Sequence, residues 1–110
     1  MFYNARSNGS SYQNPVDGVQ FKTLVHGSST LLAEFKLEKG KDLPMHSHPH
    51  EQTGYLVSGK MKLTIGEEVF QVEPGDSWNI PGNIEHGAVP IEDSTAIEVF
   101  SPVREDYLPV

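Results

Sequence analysis

The sequence predicts an all-β domain, a sandwich or barrel, on three observations. Short runs alternate apolar and polar residues with a period of two, as half-buried strands do. Ten Gly and eight Pro are spread between those runs as punctuation and do not form a tract. No stretch of useful length carries the 3.6-residue apolar period of a helix. Many short strands separated by turns pack best as two facing sheets or a closed barrel.

The elements follow in order. Residues 1–18 are polar and rich in Asn, Ser and Gly, and are read as an N-terminal arm able to pair with a partner subunit. Residues 19–110 are read as the single folded domain. In the first strand Val19, Phe21, Thr23 and Val25 share a face. Leu31, Ala33, Phe35 and Leu37 do the same in the second. Met61, Leu63 and Ile65, then Phe70 and Val72, then Thr95, Ile97 and Val99 mark further strands, each triplet or pair taken as one face. Turns are expected at Asn14-Pro15, Asp17-Gly18, Glu38-Lys39-Gly40, Ser58-Gly59, Gly66, Pro74-Gly75-Asp76 and Pro81-Gly82-Asn83, where Gly, Pro, Asn and Asp cluster.

Composition narrows the function. At 110 residues the chain suits one domain. It has no cysteine, which excludes disulfides, thiolate metal sites and a cysteine nucleophile. A net charge of −7 argues against nucleic acid and against an anionic membrane as partners. The first 18 residues lack the apolar core of a signal peptide, and every apolar run falls far short of the roughly 20 residues that cross a bilayer. A soluble cytoplasmic protein is therefore expected. A homodimer is expected too, because small β structures protect their edges by closure or by dimerisation.

Three of the five histidines fall in Met45-His46-Ser47-His48-Pro49-His50-Glu51-Gln52. On an extended strand His46 and His48, two apart, point the same way and suit chelation of one metal ion. Gln52 keeps that parity, and His86 would arrive from another strand after the Pro81-Gly82-Asn83 turn. Spacing alone also admits a polar surface loop. His50 is open to three readings: an exposed residue, a neighbour supporting the ligands, or an alternative ligand. His26 reads as an isolated turn residue, and Trp78 as core or cavity wall.

These residues resemble the two motifs of the cupin superfamily. The first motif is Gly, five residues, His-x-His, three or four residues, Glu, six residues, Gly. It is matched by Gly40, His46, His48, Gln52 and Gly59. The second, Gly, five residues, Pro, four residues, His, three residues, Asn, is matched by Gly75, Pro81, His86 and Pro90. Gln52 stands for the usual Glu and Pro90 for the usual Asn. The resemblance implies a cupin conserved barrel, a double-stranded β-helix or jelly roll. It also implies one divalent transition metal held by His46, His48, Gln52 and His86. An imidazole-rich set suits Zn, Ni, Fe, Mn or Cu. Gln is a neutral ligand, so the bound ion would keep its full charge and act as a strong Lewis acid.

A narrower resemblance covers about residues 20 to 108. His-Ser-His-Pro-His-Glu-Gln at 46–52, Tyr55 to Gly59 and the tail Val99 to Leu108 are similar to the KdgF-like cupins of pectin degradation, which also have Gln at the position of Gln52. This resemblance implies ring opening of 4,5-unsaturated uronates, derived from pectin or alginate, to the linear 4-deoxy-5-keto uronate. The implied substrate is thus a small anionic sugar. It assigns catalytic roles to Glu98, Phe100 and Arg104, with Glu98 standing where the family has Asp. Taken by themselves, these three read as a solvent-facing strand residue, a core residue and a surface ion-pair partner of Glu105 or Asp106. Two other functions stay in view: another small-molecule cupin enzyme such as a dioxygenase, and a non-catalytic cupin that binds a sugar or acid.

Overall fold

The computed structural model describes residues 1–6 and 12–108. Residues 7–11 of the expected arm and 109–110 of the expected domain lie outside the described residues. The strands, in chain order, are β1 (Gln13–Val16), β2 (Val19–His26), β3 (Leu31–Leu37), β4 (Leu43–His46) and β5 (Glu51–Ser58). They continue with β6 (Met61–Ile65), β7 (Glu68–Val72), β8 (Ser77–Ile80), β9 (His86–Pro90) and β10 (Ser94–Ser101). A short 3-10 helix, Glu105–Tyr107, follows. No helix among the described residues is long and apolar enough to cross a membrane.

The strands form two sheets, one of six strands in the order β1-β2-β3-β10-β5-β8 and one of four in the order β4-β9-β6-β7. Every pairing is antiparallel. Non-sequential neighbours such as β3-β10-β5 and β4-β9-β6 give the jelly-roll course, as the all-β cupin barrel requires. Leu31, Ala33, Phe35 and Leu37 are all buried and share one core with Met61, Leu63, Val72 and Ala88 of the other sheet. Burying such side chains stabilises the fold by roughly 1.5–3 kcal/mol each.

Three local expectations change. Asn14 and Pro15 lie within β1 and not in a turn. β1 is an edge strand, where a missing N–H breaks no inner ladder. In β7 the face containing Phe70 is not uniformly inward: Val72 is buried, and Phe70 is exposed. The largest change concerns β10. Thr95, Ile97 and Val99 point outward, and Ser94, Ala96, Glu98 and Phe100 are the buried face. Alternation fits both faces of this strand. The bulk of Phe100 decides the outcome, since it packs against the Phe35 ring at 6.3 Å and the Tyr107 ring at 5.3 Å. Glu98 is carried inward with it.

The tail closes the large-sheet side. Thr23 Oγ1 donates to Tyr107 O at 2.6 Å, and the Tyr107 ring lies 4.2 Å from that of Phe21. Arg104 and Asp106 are thereby brought back over the barrel.

Candidate metal centre

A cavity of about 410 Å3 lies between the sheets. Its walls are mostly apolar, and His46, Gln52, His86, Glu98 and Arg104 enter it.

The imidazoles come from the small sheet and the loop after β4. His46 on β4 and His86 on β9 are cross-strand partners, so the register of one antiparallel pair sets them side by side. Their ring centroids are 4.2 Å apart. His48 lies beyond the end of β4, 4.9 Å from His86 by ring centroid. One ring nitrogen from each of the three falls within 4.8 Å of the others. The β8–β9 turn fixes the His48 loop. Asn83 N donates to His48 O at 2.7 Å, and a Cβ at Gly82 would overlap Pro49 O.

The tautomers follow from the hydrogen bonds. Nδ1 of His46, His48 and His86 faces the carbonyl oxygens of Pro44, His50 and Ile84 at 2.7, 2.9 and 2.8 Å. Each Nδ1 therefore carries the proton, and each Nε2 presents a lone pair. Burial lowers the pKa of His48, and the Arg104 charge adds to that effect. Burial lowers His86 further, to about 4. Both are neutral near pH 7.

Gln52, on β5, reaches the same place. Its Nε2 donates to Glu98 Oε2, which turns Oε1 toward His48 Nε2 at 3.0 Å. Both of these facing atoms bear lone pairs, an arrangement that calls for a cation. His86 Nε2 is buried without any hydrogen-bond partner. An orphaned buried acceptor is costly, and a metal ion satisfies it. The residues present thus fit a divalent transition metal, with His46, His48 and His86 as the cluster that could hold it and the Gln52 carbonyl beside them.

The opposite wall is built from two cross-strand rows. Register sets Glu98 on β10 opposite Gly54 on β5, and Gly54 opposite Trp78 on β8. Phe100 is opposite Gln52, which is opposite Ile80. Gly54 has no side chain, and a Cβ there would overlap both Glu98 Oε1 and the Trp78 indole. The gap lets Trp78 Nε1 donate to Glu98 Oε1 at 2.8 Å. Glu98 is 4% exposed, and burial pushes its carboxyl up to about 7 against the pull of its two donors.

Arg104 lies at the cavity with 13% of its side chain exposed. Its guanidinium forms a fork to Asp106, with Nη2–Oδ2 at 2.7 Å and Nε–Oδ1 at 3.3 Å. Nη1 donates to Tyr107 OH at 3.0 Å, and the guanidinium carbon lies 3.9 Å from the Tyr107 ring centre and 5.1 Å from that of Phe100. The pairing with Asp106 and the place in the cavity wall are both realised.

All seven expected site residues, His46, His48, Gln52, His86, Glu98, Phe100 and Arg104, converge on this region. His50 contributes its carbonyl to His48, and its own Nδ1 is buried without a partner. Sequence reasoning missed Gly54, the hydrogen bond from Trp78, and the Tyr107 contact of Arg104. The pattern Glu98–Gly54–Trp78 becomes visible only when the strand register is known. Asp106, two residues from Arg104, was the one partner with a local signal.

The chain belongs to the cupin family: the cupin domain profile matches residues 33–101. A search of the curated proteins finds no match. Among solved structures, KdgF from Halomonas sp. is 32% identical, with a TM-score of 0.89 over 98% of each chain. An RmlC-like cupin from Shewanella frigidimarina NCIMB 400 is 25% identical, with a TM-score of 0.88 over 97% of this chain and 95% of that one. A salicylate 1,2-dioxygenase from Pseudaminobacter salicylatoxidans is 13% identical, with a TM-score of 0.75 over 80% of this chain and 27% of that one. That last likeness shows the fold alone.

Proposed function

We propose that the protein is a metal-dependent cupin enzyme that opens the ring of 4,5-unsaturated uronates to give the linear 4-deoxy-5-keto uronate. The observation that carries this reading is the meeting of a neutral-ligand donor cluster and Arg104 at one largely apolar cavity, in a chain similar over its length to KdgF. A divalent ion on neutral ligands, with Arg104 beside it, would make a positive site inside an acidic chain, which suits a small sugar acid.

When bound, a divalent transition metal at His46, His48, Gln52 and His86 would supply Lewis-acid stabilisation of negative charge on the substrate oxygens. Arg104 offers a planar fork to the substrate carboxylate and would have to share that fork with, or release it from, Asp106. Ring opening breaks the bond between the hemiacetal carbon and the ring oxygen. The anomeric hydroxyl loses its proton and becomes an aldehyde. The enol gains a proton at the vinylic carbon and becomes the 5-keto group, so the net reaction is an isomerisation. Glu98 lines the cavity and is the side chain for these proton transfers. Phe100 supplies an apolar wall that excludes water.

The test follows the enol absorbance of freshly prepared unsaturated galacturonate in the presence of metal-loaded protein. Loss of absorbance faster than the spontaneous reaction supports the reading. An unchanged rate with metal bound overturns it. Oxygen consumption by iron-loaded protein would instead mark a dioxygenase, because ring opening requires no oxidant.

A further inference from the structure

The hydrogen-bond polarity around Glu98 points to a device that determines which atom of residue 52 faces the imidazoles. We infer that Trp78 and Glu98 are positioning residues for the metal-facing carbonyl of Gln52, and that Glu98 is the reason residue 52 is Gln. This inference rests on the metal-centre reading above.

The indole N–H of Trp78 is a donor only. Its partner, Glu98 Oε1 at 2.8 Å, must accept. Across the carboxyl, Glu98 Oε2 meets the Gln52 amide. There Glu98 Oε2 accepts from Gln52 Nε2, so the amide nitrogen is the atom turned toward the acid. Oε1 is then left to face His48 Nε2 at 3.0 Å. Without this constraint the amide could turn over and aim an N–H at the His48 Nε2 lone pair, with loss of an oxygen ligand. The whole row is buried or half-buried, so water is poorly placed to take over these bonds.

The same contacts explain the departure from the usual cupin Glu at this position. With Glu at position 52 as well, two carboxyl groups would meet at this contact inside a low-dielectric cavity, and both could not ionise together. An amide at position 52 and an acid at position 98 form a donor–acceptor pair, and exchanging them preserves the pair. After the exchange, the amide at position 98 accepts from Trp78 through its oxygen and donates through its NH2 to the carboxylate at position 52. The second oxygen of that carboxylate is then free to face the imidazoles.

The test is Zn2+ affinity of metal-free protein, measured by competition with a chromophoric chelator. Wild type is expected to bind one Zn2+; absence of binding overturns the metal-centre reading itself. In Glu98→Gln the indole holds the new amide oxygen, the new NH2 forces Gln52 to turn over, and affinity falls about 10- to 100-fold. The exchange variant Gln52→Glu/Glu98→Gln is expected to recover wild-type affinity or better. In Trp78→Phe/Glu98→Gln the amide at position 98 is free to present its oxygen to Gln52, and most of the loss is expected to be recovered. A purely structural role for these residues would make each second substitution add to the damage. If wild type binds and Glu98→Gln binds as tightly, or the exchange variant stays as weak as Glu98→Gln, the inference is overturned. Recovery in the exchange variant without recovery in Trp78→Phe/Glu98→Gln overturns the part assigned to Trp78.

Discussion

The two sides of the cavity are held in place by different means. On the small-sheet side, all three imidazoles are fixed by main-chain carbonyls, those of Pro44, His50 and Ile84. On the large-sheet side, side chains hold side chains: Trp78 and Gln52 hold Glu98, and Asp106 and Tyr107 hold Arg104. A carbonyl anchor survives most substitutions around it, because every residue brings one. A side-chain anchor survives only if two particular residues are kept. The imidazole side should therefore tolerate most changes of the residues that bring those carbonyls, and the carboxylate side should fail when a neighbour changes.

Four expected outcomes break or sharpen this contrast. The largest is loss of a histidine. His86→Ala should remove most bound metal, read by elemental analysis, together with the thermal stabilisation that metal confers. That stabilisation is about 2.7 kcal/mol at a hundredfold excess over Kd, and chelation of the wild type should erase it equally. Retention of full stoichiometry would show that the ligand cluster is wrongly assigned.

Next is Arg104→Lys, which keeps the charge and loses the fork. If the fork grips a carboxylate, about 1.5–3 kcal/mol of transition-state binding goes with it. A fall in kcat/KM of about 10- to 150-fold on an unsaturated uronate is expected. Gly54→Ala removes neither a ligand nor a charge. The added methyl overlaps Glu98 Oε1 and the indole. Chemical denaturation should show a loss of about 1–3 kcal/mol, as overpacked cores do. Wild-type stability for this variant would mean the row has room to relax.

The smallest is Asp106→Asn. The Asp106 carboxylate is more than half exposed, so the pair with Arg104 is worth only about 0.2–1 kcal/mol after solvent screening. The Arg104 hydrogen bond holds the Asp106 pKa below its usual 3.8. A depressed pKa gives stability that is fully present above the unfolded value and is lost as pH falls through the folded one. The stability gap between wild type and Asp106→Asn should therefore be seen at neutral pH and close in strong acid.

The same contrast explains what was legible in the sequence. His46 and His48 could be read because a strand places i and i+2 on one side, a purely local rule. Most strands could be read because only one of their two faces is apolar, as in Leu31 to Leu37. β10 could not, because both faces are acceptable: Thr95, Ile97 and Val99 on one, Ala96 and Phe100 on the other. The choice between them is made by Phe35 and Tyr107, which are distant in sequence or lie beyond the strand. Gly54 gave no signal for the same reason, since a missing side chain has meaning only beside the residues that use the space. The placement of Glu98, Phe100 and Arg104 at the site came from likeness to a family and not from spacing.

The contact between the His48–Pro49 loop and the β8–β9 turn has a consequence for recombination. Pro49 O occupies the space a side chain at Gly82 would need, and Asn83 N grips His48 O. These segments are far apart in the chain and are shaped to each other. A chimera with its crossover between Pro49 and Pro81 would join one parent's loop to another parent's turn. Transplanting both segments together as one cassette would carry the His48 loop geometry into a new barrel, and transplanting either alone would not.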